Sequence, residues 1–137
     1  MGGWNPWRTL RGRPHIELGW HPSVGRARGV YIRDGERTII VMHPSLSQVD
    51  RNAVLAHELI HDERGIAYDA DTPPRLIVKE EAYVDRIRAH RLIPSDELAR
   101  FVQHRLSVNE CVTVADVAKE FGVPESVAAL AVQLHVA

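Results

Sequence analysis

The chain has 137 residues, the length of one ordinary domain, and its 45% apolar and 26% charged residues exclude a disordered, collagenous or fibrous protein. Seventeen basic against eighteen acidic side chains leave a formal charge of −1, so no overall field draws the chain to nucleic acid or to an anionic membrane surface. No apolar run approaches the roughly 18 residues of a spanning helix, no signal-peptide core opens the chain, and lone Cys111 has no internal disulfide partner, which predicts a cytoplasmic protein with no membrane partner.

Residues 1–29 carry Trp4, Trp7 and Trp20 among many glycines and prolines, and predict an irregular segment with one short strand at Ile16, Glu17 and Leu18. The tryptophans are expected to cap a sheet with apolar area. Val30 to Arg33 and Thr38 to Met42 are β-branched runs around Asp34-Gly35, a pair suited to a turn that needs positive φ, so an antiparallel hairpin is expected there. Its edge could accept an extended peptide, unless residues 1–29 cover it. After Pro44 the period changes. Ser47 with Asp50 three residues on marks a helix start, Val54, Leu55 and Leu59 recur at helical spacing, and Gly65 offers a stop, predicting a helix over about 48–64.

Residues 65–74 read as a surface loop, and a second helix follows that ends near Pro94. A short helix from Ser95, another over Val114 to Phe121 and a last one over Pro124 to Val136 make the C-terminal third helical. Cys111, between them, reads as a small buried hydrophobe. No repeat or low-complexity linker divides the chain, so residues 1–137 form one expected domain, of which 95–137 is a helical subregion.

The strongest chemical signal is His57-Glu58-Leu59-Ile60-His61, an H-E-x-x-H motif inside the first long predicted helix. Spacing of i and i+4 puts both imidazoles on one face, one turn apart, where two nitrogens reach one Zn²⁺. Glu58 stands beside them as a general base for a water that attacks a carbonyl. A shuffle of this composition yields the motif roughly 3 times in 100, so the helical context is what gives it weight. Asp62 and Glu63, directly after His61, depart from the apolar character usual there.

One zinc per chain needs a third protein ligand and an open position. Position 67 is Ala and Gly65 falls one residue late, so the H-E-x-x-H-x-x-G-x-x-H spacing is absent, which leaves a carboxylate from the next helix. Glu81 and Asp85 form a Glu-x-x-x-Asp pair on one helical face, suited to a ligand and to an acceptor for a metal-bound imidazole N–H. Glu80, with Val84 at i+4, is the alternative ligand. Tyr68, Tyr83, His43 and His90 are open candidates for an oxyanion donor, and spacing selects none of them.

This layout resembles the glutamate zincins, and the run from residue 30 onward, with Leu55-Ala56-His57-Glu58-Leu59-Ile60-His61, Glu81 and Ala89-His90-Arg91-Leu92-Ile93-Pro94, resembles the ImmA/IrrE-type zinc metallopeptidase family, most of all its small phage and prophage members. The resemblance implies an α+β, zincin-like fold in which a small antiparallel sheet packs on the helix of the motif. It also implies a cytoplasmic zinc endopeptidase whose protein substrate is a transcriptional repressor, in the control of lysogeny. Two other function classes stand beside it. Thr113 to Val127 is helix-turn-helix-like and would suit a DNA-binding regulator with a structural or vestigial zinc site, although Gln133 and His135 alone in the last helix can reach bases, so direct nucleic-acid binding is not expected. The third class is a protein that sequesters a repressor without cleaving it, and there Glu58 would have no use.

Overall fold

In the computed structural model, which describes residues 3–136, the chain is α+β, with a three-stranded mixed sheet and six helices. Met1, Gly2 and Ala137, at the two ends of the expected domain, lie outside the described residues.

The N-terminal segment is more regular than its glycine and proline content predicts. Asn5 accepts from the backbone N–H of Trp7 and Arg8, and Pro6 occupies the first turn, so these residues start a short helix, α1 (Pro6–Arg11). The three-residue strand extends to β1 (Ile16–Trp20), followed by β2 (Gly29–Asp34) and β3 (Arg37–Met42). Asp34 pairs with Arg37 across Gly35-Glu36, and Gly35 takes φ +63, as the turn chemistry of the hairpin requires. The expected all-antiparallel sheet is corrected here. The strand order is β1-β3-β2, and β1 runs parallel to β3, Ile16 opposite Thr38 and Trp20 opposite Met42. Residues from the N-terminal segment thus cover the outer edge of β3, while the outer edge of β2 pairs with no other strand among the described residues.

α2 (Gln48–Arg64) matches the expected bounds. Ser47 accepts from the Asp50 N–H at 3.2 Å, and Gly65 ends the helix at φ +67. α3 (Pro74–Leu92), α4 (Ser95–Ser107), α5 (Val114–Phe121) and α6 (Glu125–Val136) complete the chain. α2 serves two cores: Leu55 and Leu59 join Ile16, Ile40 and Met42 under the sheet, whereas Ala53 faces Ala89, Leu98, Val117 and Ala128 of the later helices. Its middle, residues 55–61, is therefore buried. Trp4 and Trp7 pack against the sheet core, and the Trp7 indole N–H donates to Asn52 of α2. Trp20 instead is exposed, with the Arg51 guanidinium 4.9 Å from its ring. Cys111 is exposed and not buried, because it lies in the connection before α5, outside either core. Among the described residues no helix is long and apolar enough to cross a membrane.

Gly29, the first residue of β2, sits against α2 with no room for a side chain. A Cβ there would collide with Val54 Cγ1 and lie 3.4 Å from Glu58 Oε2. Gly29→Ala is expected to destabilise the protein by about 1–3 kcal/mol through overpacking, as measured by denaturant unfolding.

Candidate metal centre

Three polar side chains, His57, Glu58 and His61, lie in the buried middle of α2. Burying them costs several kcal/mol unless something compensates, so their presence in an otherwise apolar stretch sets them apart as candidates. The helix turns both imidazoles the same way: their ring centroids are 4.9 Å apart and their Nε2 atoms 3.2 Å apart. α3 packs on α2 and brings Glu81 to the same point. Its Oε1 lies 3.1 Å from His57 Nε2 and its Oε2 2.7 Å from His61 Nε2.

The donor set fits a small cation. Two ligand atoms each about 2 Å from one tetrahedral zinc sit about 3.3 Å apart, close to the spacings within this cluster. The ligand atoms of His57, His61 and Glu81 all fall within 4.8 Å of one another. Two imidazole nitrogens face each other there, with a carboxylate against both, a group that could hold a metal ion.

Behind the cluster, His57 Nδ1 is 3.0 Å from Asp85 Oδ1, so of the two histidines it is His57 that Asp85 orients. Asp85 is in turn held by Arg88, whose Nη2 is 3.3 Å away and whose Nη1 donates to the Ala53 carbonyl at 3.1 Å. Ala53 lies one turn before His57, so Arg88 ties α3 to the turn that carries the imidazole. Glu81, Asp85 and Arg88 form one stripe on α3, and Arg88 carries no signal in the sequence beyond that spacing. Among the described residues His61 has no comparable partner, its Nδ1 being buried and unbonded. Its ring is held by stacking on Tyr31, 6.2 Å between centroids and 17° between planes, and by the edge contact with Tyr68 at 5.6 Å.

Glu80 points elsewhere, into an ion pair with Arg64. Of the four oxyanion candidates, Tyr68 alone reaches the cluster, donating to Glu81 Oε2 at 2.7 Å. Tyr83 lies under the Arg64 guanidinium, His43 is engaged with Ser45, and His90 is exposed. The charged pair after His61 is also accounted for. Asp62 accepts from the Tyr31 hydroxyl at 3.0 Å and from Arg13 at 3.1 Å, and Glu63 pairs with Arg13 and Arg91. These residues fasten the N-terminal segment and α3 to the end of α2, so their charge is structural.

The electrostatics follow from burial and these bonds. Burial opposes a charge on His57, but the hydrogen bonds to Asp85 and Glu81 outweigh it and raise its pKa to about 9. Burial likewise opposes the Glu81 charge, yet His57, His61 and Tyr68 hold that carboxyl well below the usual carboxylate range. Burial pushes Glu58 up, against the pull of His57 and His61. Glu58 makes no hydrogen bond to any described residue and faces a pocket of about 250 Å³ with His61, Glu81 and the start of β2. A larger cleft of about 840 Å³, between α1, the start of α2 and α4, holds none of these residues.

Two outcomes are expected from this geometry. Asp85→Asn keeps the shape but removes the anionic acceptor, and should weaken zinc binding about 10–100-fold in a competition with a chromophoric chelator. The second concerns pH. Because the folded His57 pKa is raised from 6.5 to about 9, its contribution to the stability of metal-free protein is full below pH 6.5 and lost as pH rises through 9. In a chelator the thermal midpoint should fall across that window, while zinc affinity rises as the competing proton leaves.

No family model matches the sequence, and no curated protein matches it.

Proposed function

We propose that this protein is a zinc-dependent endopeptidase of zincin-like architecture, with His57, His61 and Glu81 holding the metal and Glu58 as general base. The observation that carries the reading is Glu58. It is a buried carboxylate, 4% exposed, free of hydrogen bonds to described residues and directed at a pocket beside three potential ligands. A purely structural zinc site is closed by four protein ligands and has no use for such a group. Three ligands and an open side support a catalytic centre.

Zinc, when bound, supplies the positive charge that acidifies a water near neutral pH and polarises the substrate carbonyl. Glu58 takes a proton from the water as its oxygen attacks the carbonyl carbon, and delivers that proton to the amide nitrogen as the C–N bond breaks. Asp85, fixed by Arg88, keeps the His57 ring in one tautomer and orientation. Tyr68 donates to Glu81 and stands at the same pocket. The outer edge of β2 passes this pocket at Gly29, Val30 and Tyr31, and suits a peptide that binds as an added strand. The resemblance to ImmA/IrrE-type peptidases supports a repressor of a mobile element as the substrate and the cytoplasm as the setting. The α5–α6 pair lends no weight to DNA reading, since α6 contains no arginine or lysine.

The test is a zinc-reconstituted full chain incubated with a degenerate mixture of unstructured peptides and, separately, with purified phage-type repressors. New termini that appear in mass spectra and vanish with chelator are the expected result. A protein that binds zinc and cuts none of these would be a sequestering or regulatory factor instead.

A further inference from the structure

α3 carries charges of both signs, and its packing sorts them. Glu80 turns to Arg64, Glu81 to the two imidazoles, Asp85 to His57 and Arg88, and Arg91 to Glu63. Arg75, Lys79 and Arg86 remain. All three are exposed, and among the described residues none of them pairs with a carboxylate. They stand four and seven residues apart in the chain, so at about 100° per residue they fall within roughly 40° of one another, in one row along the helix. Ala82 lies in the same row, and exposed His90 extends it to a length of about 22 Å. Val78, 69% exposed, borders the row on one side and Tyr83, 43% exposed, on the other. The guanidiniums of Arg64 and Arg86 lie 4.1 and 5.5 Å from the Tyr83 ring, which draws two like charges together at the surface.

Local energetics oppose such a row. Cations at i and i+4 repel each other, and Arg75 stands in the first turn of α3, where the backbone dipole is already positive and no acidic residue offsets it. An anion on the solvent side would cancel both costs. We propose that Arg75, Lys79 and Arg86 form a docking face for a short acidic segment of a partner protein, laid along α3 on the side opposite the metal cluster. This inference does not depend on the peptidase reading. The charge of the whole chain argues for a short segment: it is −1, so once these three cations are set aside the rest of the surface is acidic and repels a long polyanion beyond the ends of the row. Three cations are also few beside the roughly 6–10 phosphate contacts of a salt-sensitive nucleic-acid binder. Carboxylates one helical turn apart match the step from Arg75 to Lys79. Apolar side chains between them meet Val78 and Tyr83, contacts that a phosphodiester backbone leaves unused. Exposed ion pairs are individually weak, so the docking is salt-sensitive and readily reversed.

The probe is a fluorescein-labelled helical peptide of about five turns, with glutamates at i, i+4, i+7 and i+11 and leucines beside them. Its binding to the full chain is followed by fluorescence anisotropy at about 20–50 mM salt. Reversal of the row in Arg75→Glu/Lys79→Glu/Arg86→Glu should weaken binding about 10–100-fold. The same reversal at Arg11, Arg26 and Lys119, exposed bases on other parts of the chain, should cost less than about threefold. Lys79→Gln, a milder change, should weaken binding about 2–5-fold and decides the matter if the triple variant does not fold. Wild type that binds no acidic peptide, or equal losses in the two triple variants, overturns the proposal. A duplex DNA of about 20 base pairs that binds more tightly than the peptide, and loses that affinity when the row is reversed, makes the face one for nucleic acid and overturns it too.

Discussion

Glu81→Ala should weaken zinc binding by about two to three orders of magnitude, whereas Glu80→Ala should leave it unchanged. Structural zinc sites bind with about 10–16 kcal/mol shared among four ligands, or about 2.5–4 kcal/mol each, which is that range of Kd. The neighbouring glutamates differ because one turn of α3 sends Glu81 to the two imidazoles and Glu80 to Arg64. Elemental analysis of untagged protein and competition with a chromophoric chelator provide the measurement. Wild type should carry about one zinc per chain. Equal loss in both glutamate variants, or retention in both, would remove Glu81 from the ligand set. His61→Ala should behave as Glu81→Ala does, since its Nε2 touches both other ligands.

With Glu58→Gln the expectation is reversed: zinc stays and hydrolysis goes. Glutamine nearly preserves the volume of the buried side chain but cannot take a proton, and the loss of a positioned general base costs about 10²–10⁴ in kcat. Glu58 is not among the ligand atoms that converge in the cluster, so metal content should match wild type. The variant also separates cleavage from sequestration. If antagonism of a repressor persists in Glu58→Gln at wild-type strength, binding and not hydrolysis is the activity, and the buried carboxylate has another role.

Much of the site is legible before any fold is known, for reasons that can be named. His57 and His61 fall on one face because helix geometry fixes the direction of residues four apart, and Ser47 and Gly65 mark where that helix begins and stops. The same four-residue step links Glu81 to Asp85. Choosing Glu81 over Glu80 from that pair depends on the chemistry of a ligand and its supporting acceptor, and α3 places Glu81 beside His57 and His61 while Glu80 meets Arg64. Arg88 was not legible. It is seven residues beyond Glu81, among other arginines of the same helix, and only packing against Ala53 distinguishes it. Tyr31 was hidden in the same way: it reads as an ordinary β residue until β2 is laid on α2 and its ring meets His61.

The division follows the range of the forces. Helix ends, the hairpin turn and the one-sided placement of the two histidines rest on contacts within about four residues, and the sequence by itself determined them. The parallel pairing of Ile16–Trp20 with β3 rests on segments some twenty residues apart, and the exposure of Cys111 on how α4 and α5 are joined; local pattern encodes neither, so tertiary structure decided both. The same holds for the site as a whole. The sequence names two imidazoles, a glutamate beside them and a choice of carboxylates. Only the packing of α3 on α2, with β2 alongside, closes His57, His61 and Glu81 to hydrogen-bonding distance, buries Glu58 and leaves one side open to a pocket.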